Sequence, residues 1–417
     1  MRDTIHRRYV EALVPLSTLS LALMPAVNMP LMVLMIAFWL LVLLARTALD
    51  PTPMRPDGMR WALFLALPLI LMLPDAFRAP DLMTGWWYVE RSISFLLFPI
   101  GFLLLGAPAS DRFREAMMDL FALAALALAA WSNGHLLFHG FPEGMDPGEN
   151  FSHAYRAAFS ESTGLHPPYG SYFFLAAALF QLDRLIDLAR RPWWRVAAIT
   201  VLFFASLLLA SRMPLIAFAA AAAVILFVRL PRVFALRWAL GVFIAIAVLA
   251  LVVPGVRERV AETVAALKGQ PHHAPLNSVN IRLPIAQCSL ELIETNWLTG
   301  IGQANVQARL NQCYERFGEP GLLDGSYGTH NQLLHWWLSF GLFGVVLYVI
   351  YFGTLLITAW QRKDAVHLGF IILILLCCVT ENVLTRQWGI VLFTSFNALF
   401  LSGSQPEPPI ARGPAPR

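Results

Sequence analysis

The stretch "YGTHNQLLHWWLSFGLFGVVLYVIYFGTLLIT", Tyr327–Thr358, decides the fold class. From Asn331 onward it carries no Asp, Glu, Lys or Arg. A helix needs about 20 mostly apolar residues to cross a hydrocarbon core of roughly 30 Å, so residues 331–358 read as one membrane span. The polar loop before it leaves His330 and Asn331 side by side at the mouth of that span.

Working outward, the pattern repeats. The chain has 417 residues, 58% of them hydrophobic and only 13% charged, and its mean hydropathy is +0.62. No soluble domain of this size has that composition. About twelve spans are expected by length and hydropathy, centred on residues 10–27, 29–46, 61–75, 92–107, 116–138, 169–188, 194–210, 213–229, 235–253, 331–358, 367–384 and 388–402. The expected fold is therefore an all-α polytopic membrane protein. Residues 1–254 hold spans one to nine with an exported loop at 139–168. Residues 255–330 form a large exported helical loop, 331–402 hold spans ten to twelve, and 403–417 form a Pro-rich disordered tail. Arg2, Arg7 and Arg8 before the first apolar run resemble the front of a signal peptide. A second span follows almost at once, so the first is read as retained.

Cytoplasmic loops favour Lys and Arg. With the N-terminus inside, 19 of the 30 basic residues fall on the inner side. Both termini are therefore expected in the cytoplasm, with residues 255–330 outside. The net charge of +4 follows from this bias and points to no nucleic acid.

The 139–168 loop is rich in Gly, Pro, Ser and Glu and reads as an ordered loop at best. In the larger loop, "VRERVAETVAALK" places Val256, Val260, Val264 and Leu267 at helical spacing, the pattern of an amphipathic surface helix. "IRLPIAQCSLELIETNW" repeats it with Glu291 and Glu294 on the wet side, and "GQPHHAPLNS" separates the two. Trp86, Trp87 and Tyr88, Trp193 and Trp194, and Trp336 and Trp337 read as interface belts. Cys377 and Cys378 read as small packing residues within a span. Cys288 and Cys313 share the exported loop, where they bridge only if the fold brings them within bonding distance.

Ionisable groups at membrane depth are costly and tend to mark function. Arg212, in "LLASRMPLIAF", sits in a connection too short to leave the membrane surface and breaks the charge bias; a snorkelling helix-end arginine is the plainer alternative. Arg282 opens the second loop helix and Arg386 opens the last span. Three guanidinium groups on one face with His330 describe a basic, partly desolvated cavity, and guanidinium forks match phosphate oxygens bidentately. His330 has two readings, a satisfied polar residue or a base, and Thr329 is a candidate helix cap in either. The exported histidines show no zinc-ligand spacing. No glycine-rich phosphate loop, HExxH or GxSxG motif occurs, so no nucleotide, metal or other cofactor is expected, and the energy for a reaction must arrive with the substrate.

"HNQLLHWWLSFGLFG" resembles the signature of the bacterial O-antigen ligase family, within the O-antigen ligase and polymerase superfamily, through His330, Asn331, Gly341 and Gly344. "SRMPLIAF" is similar to that family's Ser-Arg segment. "IRLPIAQCSLELIETNWLTGIGQANV" is similar to its Arg-led loop helix ending at Gly300 and Gly302, and "ENVLTRQWGIVLF" to its closing span. The resemblance covers roughly residues 165–400. It implies a metal-independent glycosyltransferase of the GT-C type in the bacterial inner membrane, working on the periplasmic face; attack from the side opposite the pyrophosphate is expected to invert the anomeric centre. Such an enzyme moves a finished glycan from undecaprenyl pyrophosphate to a sugar hydroxyl of lipid A-core. Carried over residue by residue, Arg212 and Arg282 bind the pyrophosphate and His330 activates the hydroxyl. Asn331, Arg156, Arg386, His166 and Tyr169 are secondary candidates. A repeat-unit polymerase or a protein O-oligosaccharyltransferase uses the same donor. A lipid or sugar transporter is the alternative from another class, but neither repeated halves nor broken mid-membrane helices are legible.

Overall fold

The computed structural model describes residues 2–51, 57–186, 193–234, 236–237, 241, 244, 281–318 and 320–403, and among them the chain is helical with no strand. The amphipathic helix expected at 255–267, the linker with His272 and His273, most of the span at 235–253 and the tail from 404 lie outside the described residues.

Seven described helices are long and apolar enough to cross a membrane: Tyr9–Ala26, Met29–Leu49, Gly58–Arg78, Leu82–Leu104, Asp111–His139, Arg212–Arg229 and Leu342–Gln361. Three shorter apolar helices, Trp193–Leu208, Ala365–Cys377 and Gln387–Ser402, pack among them. The Pro167–Ile186 helix differs in kind. Every residue from Pro167 to Gln181 is buried, because the helices at 111–139, 193–208, 212–229 and 365–377 surround it. Its small residues, Gly170 and Ala176 to Ala178, let those neighbours approach closely. It is the axis of the bundle, and the site is built around its first turn.

Four expectations need correction. The span at 331–358 is two helices, Gln332–Phe340 and Leu342–Gln361, broken at Gly341. Gly341 has φ +64°, and a Cβ there would lie 2.2 Å from the Leu298 carbonyl oxygen. The break receives the turn at Gly300 and Gly302: Ile301 N donates to Leu338 O at 2.7 Å, Gly302 N to Ser339 O at 3.0 Å and Leu342 N to Leu298 O at 3.1 Å. These backbones meet only because neither Gly300 nor Gly341 has a side chain. The span expected at 92–107 begins earlier, at Leu82; Glu90 and Arg91 made its first turns look extramembranous. The 139–168 loop contains a helix, Pro147–Thr163, capped by Asp146 and closed by left-handed Gly164. Its buried Tyr155 and Phe159 form an i,i+4 pair against the bundle. Trp336 is fully buried and packs beside Tyr351, with ring centroids 6.4 Å apart, so it is core and not interface belt.

The segment after Ile281 has its own small core. Ile285, Cys288, Ile293, Val306, Leu310 and Tyr314 pack with Leu338 of the broken helix pair, and Cys288 and Cys313 form a disulfide. Cys377 and Cys378 are buried and free. From the bundle, Arg78 donates to the Thr299 and Gly300 carbonyls at 2.9 and 2.5 Å, and Asp75 accepts from Gln303 N at 2.7 Å.

Charge is arranged differently at the two ends of the enclosed helix. Near its C-terminus the arginines are paired: Arg114 with Asp364 at 2.6 Å, Arg184 with Glu115 at 2.8 Å, Arg195 with Asp119 at 2.8 Å and Arg229 with Asp183 at 2.9 Å. Near its N-terminus, Arg91, Arg282 and Arg386 take no carboxylate or hydrogen-bond partner among the described residues.

Candidate functional site

The loop at 327–331 is held in one conformation by the loop at 378–384. Asn331 caps the helix that follows it, accepting from Leu334 N at 3.0 Å, and its amide donates to Val379 O at 3.0 Å. Thr329 is therefore not the cap; its hydroxyl donates to Asn382 Oδ1 at 2.9 Å, which also accepts from Asn331 N at 2.9 Å. Gln332 Oε1 accepts from Leu384 N at 2.7 Å. Held between these anchors, His330 adopts φ +46°, a conformation uncommon outside glycine and tolerated where surroundings impose it.

The imposed conformation turns His330 toward a carboxylate. Its Nδ1 lies 3.3 Å from Glu381 Oε2. Glu381 stands in the turn beyond the Ala365–Cys377 helix. Burial raises its carboxyl, but the hydrogen bond and charge of His330, with His166 and Arg282 behind them, hold it below the usual value of 4.5. A carboxylate that accepts from Nδ1–H fixes the tautomer and leaves Nε2 as the basic atom.

Glu381 also lines a cavity of about 270 Å³ shared with Arg156, Arg212, Arg282, Ser211 and Tyr172. Arg212 enters it from the start of its helix, Arg282 from the start of the Arg282–Asn296 helix. Arg156 donates to Leu209 O at 2.8 Å and to Ser211 Oγ at 3.4 Å. It thereby braces the tight turn, with Ala210 at φ +48°, that delivers Arg212. Three guanidinium groups around one carboxylate leave a net positive concavity, the electrostatics of an anion site.

Arg386 is not in this cavity. It lines a second one of about 490 Å³, with Arg91, His166, Tyr169, Trp87 and Glu90 among its walls. The first turn of the enclosed helix divides the two: Pro168 faces the first cavity and Tyr169 the second. Desolvation by the walls pushes His166 down to about 4, and it feels the charges of Glu381, Arg386, Arg156 and His330. Tyr169 Oη reaches Asn382 O at 3.5 Å.

The structure thus brings together His330, Arg212, Arg282 and Arg156, and places Arg386, His166 and Tyr169 next door. Sequence reasoning missed Glu381 and Arg91. For Glu381 the signal is present in the sequence: an acid beside an apolar run is as costly as an arginine. His335 is buried and does not share the site.

The family model described as O-antigen ligase matches residues 196–349. That stretch holds Arg212, Arg282 and His330; Arg91, Arg156, Glu381 and Arg386 lie beyond its limits. No curated protein matches the chain.

Proposed function

We propose that this membrane protein, whose residues 196–349 carry an O-antigen ligase domain, transfers a glycan from undecaprenyl pyrophosphate to a sugar hydroxyl of lipid A-core. The observation that supports it is one cavity lined by Arg212, Arg282 and Glu381, with His330 held against that same carboxylate. The acceptor oxygen attacks the anomeric carbon and its proton passes to His330 Nε2. The bond from that carbon to the phosphate oxygen breaks, and its electron pair leaves with the pyrophosphate. Arg212 and Arg282 stabilise the charge that develops on the leaving group, as preorganised donors in a poorly solvated site do best. Ionised Glu381 stabilises the imidazolium that forms. A single displacement inverts the anomeric centre. The site faces the outer leaflet of the inner membrane, with both termini in the cytoplasm.

In cells lacking their own ligase, Arg212→Ala, Arg282→Ala and His330→Ala should each abolish O-antigen-capped lipopolysaccharide while leaving the protein in the membrane. Wild-type capping by any of the three removes that residue from the mechanism. A polymerase or a protein-glycosylating enzyme draws on the same donor. Purified protein offered lipid A-core, a second donor molecule or an acceptor protein separates them by which one becomes glycosylated.

A further inference from the structure

We infer that the second cavity is a subsite for the acceptor, in which Arg91 and Arg386 bind a phosphate group carried on a core sugar of the acceptor glycolipid. The inference rests on the transferase reading above and adds the chemistry that the second substrate must carry.

Two contrasts support it. At the far end of the bundle Arg114, Arg184, Arg195 and Arg229 each meet a carboxylate, as a structural arginine near lipid should. Arg91 and Arg386 meet none at ion-pair distance among the described residues, although the charge of Arg386 reaches Arg91. Two guanidinium groups that share the cavity with one exposed carboxylate, Glu90, and form no ion pair with it leave the walls net positive, positioned for an anion that arrives from outside. The Arg91 guanidinium lies 4.9 Å over the ring of Trp87, a contact that favours one orientation and so lowers the entropy lost on binding.

The second contrast lies within the cavity. At about 490 Å³ it is larger than the first, and its walls are mixed. Glu90 is an acceptor for sugar hydroxyls, while Trp87 and Tyr169 offer aromatic faces with polar tips. An ion channel or a bare pyrophosphate pocket needs no such combination; a phosphorylated sugar does. The position fits a second substrate as well. The first turn of the Pro167–Ile186 helix contributes a wall to both cavities, Pro168 to the first and Tyr169 to the second, and His166 stands in the fields of Arg386, Glu381 and His330. A sugar held by its phosphate in the second cavity can present a neighbouring hydroxyl across that turn toward the imidazole.

The test uses the full-length protein in nanodiscs and three probes: a lipid A-core glycolipid with phosphorylated core sugars, the same glycolipid after phosphatase treatment, and inorganic pyrophosphate alone. The wild type should bind the phosphorylated form about tenfold more tightly than the dephosphorylated one, the scale of a charge-assisted contact. Arg91→Gln with Arg386→Gln should bind both forms alike, whereas Arg212→Gln should keep the preference. The Lys variants at 91 and 386 should retain part of it, which separates lost charge from lost fold. Equal wild-type affinity for the two glycolipids overturns the subsite. So does dependence on Arg91 and Arg386 for pyrophosphate only, which would make this a free-anion site. Transfer measured in parallel keeps the two readings apart. A phosphate preference without any transfer sinks the transferase and leaves the subsite; transfer without the preference does the reverse.

Discussion

Glu381→Gln isolates the charge that stands behind the proposed base. The amide oxygen can still accept from His330 Nδ1–H, so tautomer and geometry persist while the negative charge goes. Two unit charges about 4 Å apart interact by roughly 4 kcal/mol at an effective dielectric constant near 20. Here the atoms are 3.3 Å apart and the two side chains are 24% and 20% exposed, so solvent screening brings the figure to about 2–3 kcal/mol. If that energy supports the imidazolium as it forms, kcat should fall about 30- to 150-fold. The KM for the lipid-linked donor should stay level or drop, because the cavity loses its one carboxylate and becomes more attractive to pyrophosphate. In a His330→Gln background the same change should cost almost nothing, since both groups act through one proton transfer. A kcat within twofold of wild type, or full additivity with His330→Gln, refutes the coupling. The same residue gives a pH signature. Its folded pKa lies below 4.5, so its share of stability is fully present above that value and is lost as pH falls through the folded pKa. The Gln variant should lack that acid-side loss.

Gly341→Ala places a Cβ 2.2 Å from the Leu298 carbonyl oxygen at φ +64°, which should weaken docking of the Gly300–Gly302 turn by about 2 kcal/mol or more; hydrogen exchange at Ile301 and Gly302 reads it, and unchanged protection contradicts the account. Ser at both Cys288 and Cys313, 25 residues apart, should cost the loop about 3.5 kcal/mol by the chain-entropy relation, seen as faster proteolysis between 281 and 318 while the bundle stays intact. Excess EDTA should leave transfer unaffected, because in the proposed mechanism the two arginines take the role that a metal ion fills elsewhere; recovery of activity only on adding Mg²⁺ or Mn²⁺ rejects this. Arg156→Ala should release the turn before Arg212 and raise donor KM without abolishing kcat, in contrast to Arg212→Ala.

The membrane fold was legible because the hydrocarbon core sets a length that composition reveals directly. Where that reading erred, a local detail outweighed hydropathy. Gly341 splits an uninterrupted apolar run because a second backbone must fit against it, a constraint 40 residues away in sequence at Gly300 and Ile301. The helix at Pro147–Thr163 was hidden by polar composition, although Phe151, Tyr155 and Phe159 already repeat at helical spacing. Trp336 and Trp337 look like an interface pair, but adjacent helical residues point about 100° apart, and here Trp336 is fully buried while Trp337 is only half-buried. The candidate site was legible as residue types and not as an arrangement. Arg212, Arg282 and His330 stand out by type; that Arg386 belongs to a neighbouring cavity, and that Glu381 lies against the imidazole and in the cavity of the guanidinium groups, depends on which loops meet at the first turn of the enclosed helix.

A density map of the reconstituted protein with its undecaprenyl-pyrophosphate-linked glycan tests the central claim most directly. The diphosphate should lie within hydrogen-bond reach of both Arg212 and Arg282, with the anomeric carbon turned toward His330 Nε2. A diphosphate seated instead between Arg91 and Arg386, or distant from both of the first pair, contradicts the account.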